Sequence, residues 1–202
     1  ALQPEHIDQL AIQIAEFHEQ VEIADQESQY GNPITVFNSV EESFQQIIPL
    51  LNRQEDINQV NALKSWALNK HTQLSQQINH RKENGFVRNC HGDMHLANIA
   101  LFDKEIIIFD CIEFNESLRW IDVISDISFT VMDLIDRGHS HYAARLLDRY
   151  LQYSGDYGGL RMLQFYLVYR ALVRAKVAII RSHQPMHSKQ EQQQAFKQYQ
   201  DY

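Results

Sequence analysis

The residues best equipped for chemistry in this 202-residue chain lie between Cys90 and Asp110. The run Cys90-His91-Gly92-Asp93-Met94-His95-Leu96-Ala97-Asn98 is followed by two apolar stretches, and the second closes on Phe109-Asp110. Ile99 to Phe102 and Ile106 to Phe109 flank Asp103-Lys104-Glu105, which is a hairpin pattern. A hairpin sets its two ends side by side, so Asn98 and Asp110 become neighbours. An amide oxygen and a carboxylate are hard ligands, and Mg²⁺ typically takes one or two carboxylates together with phosphate oxygens. Asp93 lies beside such a metal without having to bind it and is free to take a hydroxyl proton. Phosphoryl transfer needs this division of labour, with a metal to neutralise phosphate charge and a carboxylate to orient the nucleophile.

The same residues admit other readings. His91, Asp93, His95 and Asp110 place potential transition-metal ligands close together, as a metal-dependent hydrolase would require. Cys90 and Cys111 flank His91 and Asp110, and buried packing is the default for such thiols. Glu113, Asn115 and Glu116 follow Asp110 and could line an acidic substrate cleft, with His95 packing in its loop or facing the substrate; a solvated loop fits the three equally well. The plainest alternative is a strand, loop and hairpin whose polar side chains only satisfy turn backbones.

Helices must hold this segment. Ile7, Leu10, Ile14, Phe17 and Val21 share one face of a helix running from Pro4 to about Val21, in which His18 caps or packs. Tyr30-Gly31-Asn32-Pro33 is a turn, and Ser39 with Glu42 reads as a capping box opening a helix to about Leu51. A stripe from Ile57 to Ile78 predicts a helix over Glu55 to Lys82, ended by Asn84-Gly85. Phe86-Val87 is a short strand candidate. Helices are then expected over Ser117 to Asp136, Ser140 to Tyr153 and Leu160 to Ser182, with a polar or frayed tail from Ser188. The first of these is apolar nearly all round and should be buried, so Asp122 and Asp126 on it must be paired or hydrogen-bonded. Arg170, Arg174 and Lys176 on the last are expected to pair internally with Asp122 or Glu113, or else to face a partner domain. The fold class is mainly α (α+β), one domain over 1–202, with the hairpin as its convincing β-structure.

Composition agrees. There are 7 Gly and 4 Pro, against about 14 and about 10 at average usage, so turns are few and elements long. Lys plus Arg is 18 and Asp plus Glu is 26, giving a formal charge of −8. An acidic chain has little attraction for nucleic acid or an anionic membrane. No apolar run approaches the roughly 20 residues of a membrane span, and residues 1–5 lack a signal-peptide layout. Two cysteines make no disulfide framework, which favours a reducing cytoplasm. The chain begins with Ala1, which suits a piece of a longer protein.

His91-Gly92-Asp93, Asn98 five residues on, and an apolar strand ending in Asp110 resemble the catalytic core of the aminoglycoside phosphotransferase and choline kinase-like family, relatives of protein kinases. Arg119-Trp120-Ile121-Asp122 with Asp126-Ile127-Ser128-Phe129 looks like that family's Trp-x-Asp-Ile-Ala-Phe-type helix. Leu10-Ala11 with Ile14-Ala15-Glu16-Phe17-His18 is similar to its first large-lobe helix. The resemblance runs from roughly Pro4 to Ser182. It is nearest to bacterial modules fused to a P-loop ATPase domain, through Phe109-Asp110-Cys111-Ile112-Glu113-Phe114-Asn115 and Tyr169-Arg170-Ala171 with Arg174-Ala175-Lys176-Val177. It implies a kinase-like C-terminal lobe that moves the ATP γ-phosphate to a small-molecule hydroxyl. Asp93 would be the catalytic carboxylate, Asn98 and Asp110 would hold Mg²⁺ and so bind the nucleotide, and His91 would brace the loop. Asp126 would accept backbone N–H groups of that loop.

One departure limits this. Such kinases close ATP beneath a smaller lobe carrying a phosphate-covering loop and a lysine. The seven glycines form no Gly-x-Gly-x-x-Gly, and no lysine-bearing strand precedes Asp93. The chain reads as a C-lobe without its N-lobe, expected to bind ATP weakly and to be inactive alone. The alternative is a non-catalytic binding or regulatory module for a fused or partner ATPase. Relatives phosphorylate choline, sugars and amino-acid-like hydroxyls; Glu113 and Glu116 mildly favour a cationic acceptor.

Overall fold

A computed structural model describes residues 2–103, 105–184 and 189–202. Seven α-helices and two small antiparallel sheets make up the described residues. The helices are α1 (Pro4–Gln20), α2 (Pro33–Ile47), α3 (Gln54–Glu83), α4 (Val123–Asp136), α5 (Ser140–Ser154), α6 (Leu160–Ser182) and α7 (Lys189–Asp201). The strands are β1 (Val87–Asn89), β2 (Ile99–Phe102), β3 (Glu105–Ile108) and β4 (Trp120–Asp122).

At the centre stands α4. Every residue from Val123 to Leu134 on it is buried, as its all-round apolar composition requires. It packs between α5 and α6, while α1 lies along α5 and α2 crosses α6 and α3. Leu10, Ile14, Phe44, Ile78, Ile127, Leu146, Phe165 and Ile179 join these helices in one core. The polar tail is a helix: α7 lies on α6, buries Ala195 and turns Phe196 and Tyr199 to the core. Ser188 lies outside the described residues.

Three expectations need correction. Asn32 and Pro33, not Ser39, start α2: the Asn32 side chain accepts the Thr35 N–H at 2.8 Å and Pro33 takes the first turn. Ser39 sits inside that helix, its hydroxyl donating to the Thr35 carbonyl. No helix starts at Ser117. A 3₁₀ turn over Glu116–Leu118 leads into β4, and α4 begins only after Asp122, whose carboxylate accepts the Ile124 N–H at 2.8 Å. The hairpin β2–β3 is therefore not alone, because β4 pairs with β1, Val87 opposite Asp122 and Asn89 opposite Trp120.

The β1–β4 ribbon delivers the chemistry-bearing loop. β1 runs directly into Cys90, and β4 runs directly into α4, so the loop after one and the helix after the other meet. Arg81, in the last turn of α3, locks this corner. Its guanidinium reaches Asp122 at 2.6 and 2.9 Å and Asp156 at 2.7 and 2.8 Å. All three groups are buried, and the two carboxylates hold Arg81 protonated against the cost of burial.

Candidate active site

Residues 90–98 hang from one face of α4. Asp126, Thr130 and Asp133 stand at i, i+4 and i+7, so they point the same way. The two oxygens of Asp126 accept the His91 N–H at 3.1 Å and the Gly92 N–H at 2.9 Å. Thr130 donates to the Met94 carbonyl at 2.5 Å, and Asp133 accepts the Leu96 N–H at 2.8 Å. A loop with no ladder of its own thus has its backbone groups satisfied by three buried side chains. Arg170 on α6 closes the far side, donating to the Gly92 carbonyl at 3.1 Å and to the carbonyl and hydroxyl of Ser125. It does not pair with Asp122, as the sequence suggested; Arg81 holds that carboxylate instead.

Asp126 has a second layer. His18 of α1 places Nε2 3.1 Å from its carboxylate and Nδ1 2.9 Å from the Tyr150 hydroxyl. Complete burial pushes the Asp126 carboxyl up, but the His18 hydrogen bond and charge, with Arg170, outweigh it and hold the pKa below the ordinary value. Burial likewise pushes the Cys90 thiol up, with Asp126 and Asp122 adding to it, so Cys90 is an inert core residue. His18, Cys90 and Asp126 offer ligand atoms within 4.8 Å of one another. Asp126 is already filled by two N–H groups and His18, so the cluster is a hydrogen-bonded brace.

Gly92 explains its own place in the motif. Its φ is +84°, and a Cβ there would lie 2.6 Å from the Leu118 carbonyl oxygen, a backbone atom that cannot step aside. Gly92→Ala is expected to cost about 1–3 kcal/mol through strain and crowding, read as a lowered urea midpoint with unchanged slope.

His91 links the loop to the hairpin's end. Its Nδ1 accepts the Asp93 N–H at 3.3 Å, which leaves Nε2 to donate to the Phe109 carbonyl at 2.9 Å. From the other side the Asn98 carbonyl accepts the Phe109 N–H at 3.0 Å. Asp110 is thereby delivered next to Asn98, at φ +62°, a conformation few residues other than glycine adopt. The Asn98 amide nitrogen donates to the Asp93 carbonyl at 3.0 Å and reaches its carboxylate at 3.3 Å, which leaves Oδ1 for another partner. Both ring nitrogens of His91 are engaged, so the four-ligand transition-metal set is not assembled.

Asp93 is about a third exposed, while His95 is buried beside it with Nε2 at 3.5 Å. His95 Nδ1 accepts the Ala97 N–H, and the ring meets Phe129 edge-on. His95 therefore supports Asp93 from within rather than lining a cleft. Burial raises the Asp93 carboxyl, yet His95, Arg170 and Arg174 together bring it below the usual carboxylate value. Asp93 is ionised at neutral pH, an acceptor for a hydroxyl proton. Asp110 and Glu113 are exposed. Asn115 caps the next turn through the Ser117 N–H, and Glu116 accepts the Tyr30 hydroxyl at 2.8 Å. Cys111 is exposed, in contrast to Cys90.

Sequence reasoning gave His18 only as capping or packing its helix and missed Arg81, Thr130 and Asp133. The last two had a signal, since polar residues at helical spacing on an otherwise apolar helix must bond to something buried.

A mainly helical body with small antiparallel sheets, and a loop and hairpin suspended from a buried central helix, define a protein kinase-like C-terminal lobe. The model described as "Phosphotransferase enzyme family" (APH) matches residues 1–163, and the chain belongs to that family. Among curated proteins, it is 38% identical over 101 residues to the uncharacterized proteins Rv2004c and MT2060 of Mycobacterium tuberculosis and Mb2027c of Mycobacterium bovis. The match takes in 50% of this chain and 20% of each relative. No helix among the described residues is long and apolar enough to cross a membrane.

Proposed function

We propose that these residues form the catalytic lobe of a phosphotransferase that moves the γ-phosphate of ATP to a hydroxyl of a small molecule. The observation that supports this is that Asn98 bonds to Asp93 while the Asn98 carbonyl and the His91 ring both hold Phe109, the residue before Asp110, on a loop held by Asp126. Asp93 orients the acceptor hydroxyl and takes its proton as the oxygen attacks. The Asn98 oxygen and the exposed Asp110 carboxylate are hard donors that fit Mg²⁺. The ion, when bound, neutralises phosphate charge. Asp126, His18 and Arg170 keep the loop in place and touch no reactant. A phosphate-covering loop and lysine complete such a site. We assign these to the rest of the parent protein, which also leaves room for a P-loop ATPase domain.

The family association supports the reaction type, and the kinase-like lobe supports the nucleotide and metal. The acceptor belongs to a class of small alcohols; the exposed Glu113 and Glu116 favour one carrying positive charge. The test is γ-labelled ATP with the full-length protein and a panel of amino alcohols, sugars and aminoglycosides. Label should reach an acceptor with Mg²⁺, stop on adding excess EDTA and return with further Mg²⁺. Transfer that ignores the chelator would sink the metal assignment. No transfer to any acceptor would favour a binding module instead.

A further inference from the structure

Arg119 is used by neither the fold nor the proposed reaction. Its carbonyl accepts the Cys90 N–H at 2.9 Å, so the ribbon fixes its backbone. Its side chain has no hydrogen bond or ion pair among the described residues, and Nε is buried with no partner. The two fully buried arginines contrast with it: Arg81 has two carboxylates, and Arg170 has Ser125 and Gly92. Buried donors are nearly always satisfied, so an arginine whose Nε has no acceptor stands out.

The open space is there. Arg119 lines a cavity of about 380 Å³ between α1 and the end of the hairpin, in the size range of small-molecule sites. Phe17, Ile108 and Phe109 give it apolar walls, with Met94 buried behind them. Asp110 is the one carboxylate lining it, and no ion pair joins that group to Arg119 among the described residues. The cavity therefore combines apolar surface with a guanidinium that has no contact ion pair among the described residues. A guanidinium fork matches the oxygens of a carboxylate or a phosphate in pairs.

We propose that this cavity binds a small organic oxyanion, its charged group on Arg119 and its apolar body against Phe17, Ile108 and Phe109. The site is separate from the acceptor and does not depend on the phosphotransfer reading. It borders that machinery, because His91 and Asp110 also line the cavity. Phe109 and Asp110 line the cavity, and Phe109 is the residue His91 tethers. An occupant would alter the metal affinity of Asp110, and the metal would alter the occupant's affinity by the same factor.

The test uses full-length protein without divalent metal and three probes: benzoate, phenyl phosphate and the neutral benzyl alcohol. Cys111 is an exposed thiol on the cavity wall, and Cys90 is buried, so the rate of Cys111 alkylation reports occupancy. Saturable protection at millimolar concentration is expected from an anion and not from benzyl alcohol. Protection by benzoate alone identifies a carboxylate ligand, and by phenyl phosphate alone a phosphate ligand. Arg119→Gln should weaken protection at least tenfold, with Arg119→Lys between. The arginine Nε–H signal that disappears in Arg119→Gln should shift with the same probe in the wild-type protein, a readout that does not depend on the variant's folding. No saturable protection, equal protection by benzyl alcohol, or full protection in folded Arg119→Gln would overturn the proposal.

Discussion

Asp126→Ala is expected to lose about 3–5 kcal/mol of folding stability, the range for removing one partner from a buried charged network. The substitution strands the His91 and Gly92 N–H groups and leaves His18 facing a void. Each consequence is costly because all of these groups are buried and water cannot replace the carboxylate. Asp126→Asn keeps the shape but turns an NH₂ toward one of its donors, so it should recover only part of the loss. Acid dependence supplies an independent check. The folded pKa of Asp126 lies below its unfolded value of about 3.9, so its contribution is complete above that pH and fades as pH falls through the folded pKa. Urea unfolding at neutral pH should show the full deficit. Toward pH 2 the difference between wild type and Asp126→Ala should shrink. A constant difference across that range would mean Asp126 is not an ionised acceptor.

Much of this brace was legible in advance, and the reasons differ by element. Helices α1, α3, α5 and α6 announce themselves because long apolar stripes at three- and four-residue steps have no strand equivalent. The hairpin was equally plain, since two short apolar runs flank three polar residues. Strand β4 was not, because three residues are too few to show alternation and Trp120-Ile121-Asp122 joins smoothly onto the apolar pattern of α4. Ser39 misled for the opposite reason: a Ser-x-x-Glu pattern also arises inside a helix, where the hydroxyl bonds back to its own turn. The stronger signal was Asn32-Pro33, a cap followed by a residue with no N–H to satisfy.

At the site, the hairpin pattern made legible the pairing that bonds Phe109, the residue before Asp110, to Asn98. Partners from distant elements were beyond its reach. Arg81 stands among basic residues in the last turn of α3, where solvated charge is the ordinary expectation. Only the tertiary fold carries it to Asp122 and Asp156, 41 and 75 residues away. For His95 the sequence left packing in the loop and facing the substrate both open, and its ring turns inward onto Phe129.

Asp93→Asn carries the second large effect. The amide keeps the volume, and Asn98 still has the Asp93 carbonyl to hold, so the loop should survive. What disappears is the partly exposed carboxylate proposed to take the hydroxyl proton. General-base catalysis by a positioned group is worth roughly 10²–10⁴-fold, and turnover should fall by that factor. Because His95, Arg170 and Arg174 hold the wild-type carboxyl below the usual range, its ionisation should put no acid limb on the rate near neutral pH. Nucleotide affinity should hardly change, since Asp93 is not among the proposed metal ligands. The most direct measurement is single-turnover transfer of labelled γ-phosphate by the full-length protein, wild type against Asp93→Asn, with MgATP binding measured on both. The account predicts a loss of roughly 10²–10⁴-fold in the transfer step with binding retained. Transfer at the wild-type rate by a folded, ATP-binding Asp93→Asn protein would contradict it.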